Sequence, residues 1–404
     1  MGKGVASARV FTGPFAVITV ATLSYFLAVG LLVPVIPRYV KGPLGGGSIA
    51  IGAAVGAFSV ASVLVRPFIG GLGDRKGRRQ LIVTGPVLVA GAVALYPAAH
   101  HSLALLMTLR LVQGAGEACF YVGAASAVTD LAPPERRAEA VSYFSVALYL
   151  GLAIGPALGE GVLHHTHFGR VWVLTVFFAL VATAIGVLYR EPVRTAHAAS
   201  PARGHLVHPA GLRPGMVLGF GMLGYAGFAA FVPLYASQLG LSGAGTVFLL
   251  YAAVTIVLRL VAARLPDRIG PGKCALVANC WLVAALAVMG TWASTTGLYV
   301  ATAMFATGVA LNFPSLLSLA VDAAPEDERG SVVGTFTAFF DLGQAVGAVT
   351  LGVVASAAGY RGAFLAGSCS AAFGLAVLVS YLRTRRAAVR HHTLVDDVPA
   401  EPAL

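Results

Sequence analysis

Residues 70–82 read GGLGDRKGRRQLI, and this stretch decides how the rest of the chain is read. Asp74, Arg75, Lys76, Arg78 and Arg79 stand together between two long apolar runs, in a chain of 404 residues of which 11% are charged and 58% hydrophobic. Gly70, Gly71, Gly73 and Gly77 let the backbone turn tightly among them. A soluble protein carries roughly 25% charged residues. With a mean hydropathy of +0.84, this chain has too much apolar surface for a water-soluble fold to hide. The stretch is therefore a basic loop between membrane spans. The net charge of +11 belongs to such loops and not to a nucleic-acid surface.

A span takes about 20 apolar residues, and twelve segments of that kind can be placed working outward from the loop. They centre near Leu23, Phe58, Leu88, Gly116, Gly151 and Phe178, then Gly227, Ala253, Val283, Gly308, Gly343 and Phe373. Long continuous runs predict helices, where a barrel would need short alternating ones. The expected organisation is a six-helix bundle over 1–189, a basic cytoplasmic linker over 190–213, a second bundle over 214–383, and a disordered tail over 384–404. The first apolar run continues past Pro34 with no cleavage site, which predicts a retained span. Placing both termini inside puts twenty of the 27 Lys and Arg in the cytoplasm. Only Arg38, Lys41, Arg170 and Arg361 then fall outside, with Arg66, Arg110 and Arg259 inside spans. That bias predicts a multi-pass protein of a bacterial-type inner membrane with cytoplasmic ends.

The halves repeat each other. RPFIGGLGDRKG, from Arg66, aligns with RLVAARLPDRIG, from Arg259, and TDLAPPERRAEAVSYF, from Thr129, aligns with VDAAPEDERGSVVGTF, from Val321. Parallel six-span repeats with a substrate path between them describe a secondary transporter.

Three motifs make the description specific. The opening stretch fits G-x-L-[A/G]-D-R-x-G-R-[R/K]-x-x-[L/I], the fourth span carries RLVQGAG (110–116), and the fifth carries GLAIGPALGE (151–160). On these the whole chain resembles the major facilitator superfamily, in its twelve-span drug:proton antiporter group. Glu160 stands where the antiporter signature has glycine. The resemblance implies an all-α fold of two pseudo-symmetric six-helix bundles and export of small amphipathic organic molecules. It implies a proton gradient as the energy source, with no cofactor. Gly151, Gly155 and Gly159 recur every four residues and leave one helix stripe without side chains, and Pro156 bends the span there. The resemblance makes that stripe a seam between the rocking bundles.

A charge at mid-membrane costs at least ~2.5–3.5 kcal/mol, so it should face the interior or a wet cavity. Glu117 and Asp341 are the two acids at that depth. Arg110, Gln113 and Glu117 share one helix face, so Arg110 is expected to tune a carboxylate for which protons and substrate compete. In the repeat, Glu117 corresponds to Val309 and Asp341 to Tyr149. Tyr25, Phe120, Tyr121, Tyr149, Tyr225, Phe228, Asn312, Phe339 and Phe340 are the candidate cavity lining, suited to stacking and apolar contact. At the cytoplasmic ends, Gly70, Asp74, Arg75, Gly77, Arg78, Arg79 and Asp130, with Asp267, Arg268 and Asp322 in the second half, are expected to form a gate. In it Asp130 would partner Arg75 or Arg79, and Asp322 would partner Arg268.

Alternatives are a proton-coupled uptake symporter for a sugar, organic acid or amino acid, and a receptor or enzyme on the same scaffold. The sparse polar side chains in the spans argue against the first. Against the second, the chain has no nucleotide-binding loop and no catalytic triad. His100, His101, His164, His165 and His167 lack accompanying ligands at metal-binding spacing, so no metal is expected. The partners expected are a small-molecule substrate, protons and the lipid bilayer, with the chain acting as a monomer.

Overall fold

The computed structural model describes residues 12–133, 136–163, 167–191, 207–261, 268–325 and 328–396. Asp267, the side chain of Asp74 and the surroundings of Gly70 lie outside what is described. The fold is all-helical: α1 (Gly13–Lys41), α2 (Ser48–Lys76), α3 (Arg78–Ala94), α4 (Leu103–Leu131), α5 (Arg137–Leu163) and α6 (Phe168–Leu188), then α7 (Pro209–Gln238), α8 (Gly245–Val261), α9 (Pro271–Thr291) and α10 (Thr295–Val321). The last helical stretch, Arg329–Asp396, is broken at Gly359, whose φ of 70° only glycine adopts without strain. The break separates α11 (329–358) from α12 (360–396). A short 3₁₀ turn, Tyr96–His101, links α3 to α4. Each of the twelve expected centres falls inside one of these helices.

Two boundaries differ from expectation. Helix α7 begins at Pro209, inside the expected linker, because Pro209 suits a first helical turn and His208 accepts from the Ala210 N–H at 3.2 Å. Helix α12 continues to Asp396, through most of the expected irregular tail. Its residues after Tyr381 include no proline or glycine before the helix ends, so nothing local stops it.

The repeat is visible in the packing. Helix α1 lies against α5 and α6 as α7 lies against α11 and α12. Likewise α4 packs on α2 and α3 as α10 packs on α8 and α9. Between the halves, α2 meets α11 and α5 meets α8, a symmetric pair of contacts, with α1 against α7 between them. Gly77 (φ 92°) and Gly270 (φ 87°) occupy the same place in the two repeats, each at the N-cap of the next helix.

The glycine stripe of α5 is not a seam between bundles. It presses on α1, in the same bundle: a Cβ on Gly155 would lie 2.6 Å from Cα of Gly30, and one on Gly151 would lie 2.7 Å from Cβ of Phe26. Close approach of bundles falls instead to α2 and α11, where a Cβ on Gly352 would meet the Ser48 carbonyl at 2.9 Å. Gly155→Val is therefore expected to act on the stability of the first bundle. Overpacking of this kind costs about 1–3 kcal/mol, readable as a lower unfolding midpoint in detergent. An unchanged midpoint would mean that α1 can move away without cost.

Candidate functional site

The contacts described for the basic stretch that opens α3 lie within its own bundle. The Arg78 N–H donates to Glu191 Oε1 at 2.9 Å and the Arg79 N–H to Oε2 at 3.4 Å, so a carboxylate caps the positive end of α3. Arg79 Nη2 donates to the Val187 carbonyl at 2.7 Å, and Arg78 Nε donates to Asp130 Oδ2 at 3.4 Å. Asp130 thus takes Arg78, where Arg75 or Arg79 was expected; Arg75 and Lys76 are exposed. Asp322 accepts from the Ser318 hydroxyl at 3.4 Å, on its own helix. No ion pair between Asp322 and Arg268 occurs among the described residues. The expected roles of Asp74 and Asp267 lie outside the described side chains.

The charges at mid-membrane converge on an arginine with no assigned role in the sequence reading. Arg66 on α2 places Nη2 3.2 Å from Glu117 Oε1 and 3.3 Å from Oε2, on α4. Its Nη1 pairs with Asp341 Oδ2 on α11. Ser62, one turn before Arg66, donates its hydroxyl to Glu117 Oε2. The Arg66 guanidinium also lies 4.8 Å over the Tyr121 ring. Because α2 and α4 belong to the first bundle and α11 to the second, Arg66 bridges them. Both carboxylates are buried, Glu117 and Asp341 each at 6% exposure.

Arg110 does not pair with Glu117. Its Nη1 donates to Gln113 Oε1 at 2.8 Å and its Nε to the Ala54 carbonyl at 2.9 Å, while the guanidinium covers the Phe58 ring at 4.8 Å. Gln113 Oε1 also accepts from the Tyr96 hydroxyl at 2.6 Å. The RLVQGAG segment is thus a brace between α4, α2 and the 3₁₀ turn. Shared helix face placed Arg110 near Glu117 in the sequence reading, but its guanidinium extends to the carbonyls of α2.

Arg110, Glu117 and Asp341 do line one central cavity, of about 100 Å³, with Phe58, Leu152, Tyr225, Phe340 and Gln344 among its walls. A smaller cavity of about 30 Å³ adjoins it, sharing Leu152, Tyr225 and Phe340 and adding Tyr149, Tyr251, Thr255 and Arg259. Of the nine expected lining residues, Tyr149, Tyr225 and Phe340 are in these walls. Tyr121 sits behind Arg66. The other five are packing residues: Phe120 stacks on Tyr25 at 4.2 Å, and Phe228 stacks on Phe305 at 4.6 Å. Phe339 fills the side of α7 at Gly215, and Asn312 accepts from Asn279 Nδ2 at 2.9 Å. Tyr251, Thr255 and Arg259 were missed; the one sequence signal was Arg259, a charge inside a span.

The bundles are also locked together at the helix ends that carry Arg38. Arg38 Nη2 on α1 lies 2.5 Å from Glu160 Oε1 on α5, and the same oxygen accepts from the Ala244 N–H at 2.7 Å, just before α8. Arg38 Nη2 also donates to the Pro233 carbonyl of α7 at 3.3 Å. Glu160, where the signature has glycine, is thus a second carboxylate, besides Asp341, in contact between the bundles.

Two six-helix repeats around a central cavity, with buried charges crossing between them, define a membrane transporter. The family model for the Major Facilitator Superfamily matches residues 18–278 and 222–402, so the chain belongs to that superfamily. It is 28% identical over 377 residues to an uncharacterized MFS-type transporter of Salmonella typhimurium, covering 91% of this chain and 96% of that one. Among solved structures it is similar to the human organic anion transporter MFSD10, with a TM-score of 0.67 at 21% identity over 90% of this chain and 98% of that one. It is also similar to a bacterial homolog of the human lysosomal transporter Spinster in an inward-facing, unoccupied conformation. There the TM-score is 0.70 at 16% identity, over 91% of this chain and 94% of that one. The protein is a multi-pass membrane transporter of small molecules and not an enzyme.

Proposed function

We propose that this transporter exports small amphipathic organic molecules across a bacterial inner membrane in exchange for protons. The observation that carries the reading is the Arg66 bridge: one cation holds two buried carboxylates from different bundles. With both acids ionised the triad has one negative charge in excess, and a single proton balances it. Protonation of Asp341 would remove the charge that draws α11 to α2, and protonation of Glu117 would leave Arg66 to Asp341 alone. Proton binding is thereby linked to how the bundles sit against each other, which is what alternating access requires. The proton gradient would supply the energy, with no cofactor and with the chain acting as a monomer.

The excess of basic residues supports cytoplasmic termini. In that orientation the Arg38–Glu160 contact closes the outer side. Glu160→Gln keeps the shape of the contact and removes its charge. A charged hydrogen bond contributes about 1.5–3 kcal/mol net and 1.4 kcal/mol is tenfold, so the closed population should shift by roughly tenfold. The check is the rate at which an impermeant maleimide labels Val33→Cys, beneath that contact, from the Arg38 side in a cysteine-free background. An unchanged rate would remove this pair from the outer gate. On the cytoplasmic side, Asp74 with Arg75 would form the counterpart that holds the bundles in the outward-facing state.

The proposal as a whole is tested in proteoliposomes with an imposed pH gradient, using a panel of amphipathic cations, anions and neutral compounds in both directions. Gradient-driven accumulation that an uncoupler abolishes supports it. Transport indifferent to the gradient refutes it, and movement of substrate together with the proton would instead make the protein a symporter.

A further inference from the structure

The two repeats treat their buried arginines differently. Arg66 and Arg259 occupy the same place in the repeat, on α2 and α8, and each reaches across to the other bundle. Arg66 meets Asp341 on α11. Arg259 meets Tyr149 on α5, the position equivalent to Asp341, with its guanidinium 3.7 Å from the ring centroid. Where the first repeat has Glu117, the second has Val309, which lines the small cavity beside Arg259. The second node thus keeps its cation and replaces both acids with neutral side chains. Among the described residues no carboxylate comes within ion-pair distance of Arg259, and its Nε and Nη2 are buried without a hydrogen-bond partner.

A cation at this depth is costly unless something compensates it. Tyr149 compensates in part, through its ring face. What remains is a guanidinium fork with unused donors, lining a cavity of about 30 Å³, more than the ~10–15 Å³ of such space that a single water needs. That space suits a carboxylate, which a guanidinium holds through paired hydrogen bonds. Leu152, Tyr225 and Phe340 line both this space and the larger central cavity, whose aromatic and aliphatic walls suit an apolar body.

We propose that Arg259 is the substrate's anion subsite, so that the transported molecules are organic acids with an aromatic or aliphatic body. This rests on the transport reading above and narrows its substrate class. It also divides the labour of the two nodes: Arg66 is neutralised by the protein and can answer to protons, while Arg259 is neutralised by cargo.

The test compares 2-naphthoate with 2-naphthamide, which share a body and differ in charge, by calorimetric binding to the full-length protein in detergent. Wild type is expected to bind the acid at least tenfold more tightly than the amide. Arg259→Gln should abolish that preference and leave amide binding within about twofold, and Arg259→Lys should keep part of it. Val309→Glu, which installs the acid that the second repeat lacks, should abolish the preference with Arg259 intact. Equal binding of acid and amide by wild type overturns the proposal without any variant. So does a preference that survives both Arg259→Gln and Val309→Glu, or inorganic phosphate binding as tightly as naphthoate. The binding comparison uses no pH gradient, so an acid preference found where gradient-driven transport fails separates this proposal from the coupling proposal.

Discussion

Asp341→Asn is expected to abolish gradient-driven accumulation while substrate exchange at equal pH on both sides continues within a few-fold. Asparagine occupies the same volume, so α11 keeps its packing against α2, and Gly52 and Gly352 still allow the two helices their close approach. What disappears is a proton-binding group and its charge toward Arg66. Exchange needs the bundles to rock with cargo bound but needs no net proton movement. Accumulation needs both. A drop of at least about tenfold in accumulation corresponds to 1.4 kcal/mol of lost coupling, the lower end of typical coupling energies. Glu117→Gln should act in the same direction. Its effect should be accompanied by some loss of stability, because Ser62 and Arg66 both hold that carboxylate. Full accumulation in both variants would reduce the triad to a structural ion pair.

Arg66→Ala is expected to be the most destabilising single change in the membrane core. It leaves Glu117 and Asp341 buried close together with no cation in contact. Removing one partner of a buried charge network typically costs about 3–5 kcal/mol. The mechanism predicts a specific rescue. Adding Glu117→Gln and Asp341→Asn to Arg66→Ala removes the uncompensated charges and should restore most of the unfolding midpoint, though not transport. Arg66→Lys should fall between, since a single ammonium cannot fork toward two carboxylates as a guanidinium does. If Arg66→Ala unfolds at the wild-type temperature, the bridge carries no structural load. If the triple variant is no more stable than Arg66→Ala, the damage lies in packing against Tyr121 and not in charge.

Much of this architecture was legible before any coordinates. Spans announce themselves by run length, and the repeat shows in Arg66 to Gly77 against Arg259 to Gly270. Glu117 and Asp341 stood out because an acid in an apolar run needs a reason. Their partner was less visible. Arg66 reads as one of three arginines inside spans, with nothing to mark it from Arg110 and Arg259, and its contact with Asp341 joins residues from opposite halves of the chain. The orientation of aromatic residues was not legible for a related reason. Spans apolar on every face carry no periodic signal to say which side looks inward, so Phe120, Phe228, Phe339 and Asn312 could not be told from Tyr149, Tyr225 and Phe340. The α5 glycines announce that some helix approaches closely. They do not say which, and the helix is α1 of the same bundle. Glu160 shows the opposite case: its departure from the signature was readable, and its use, holding Arg38 and the Ala244 amide, needed the fold.

In the proposed exchange, the carboxylates on Arg66 carry the protons that move cargo. This role is tested most directly by proton flux in proteoliposomes holding a trapped pH-sensitive dye, with an imposed gradient and a compound identified from the panel above. Adding that compound to the lumen should accelerate proton entry through the wild-type protein. It should produce no acceleration in the Glu117→Gln, Asp341→Asn double variant, reconstituted at equal density and verified as folded by its unfolding midpoint. Equal acceleration in the two preparations would contradict the account and move the coupling site elsewhere in the transporter.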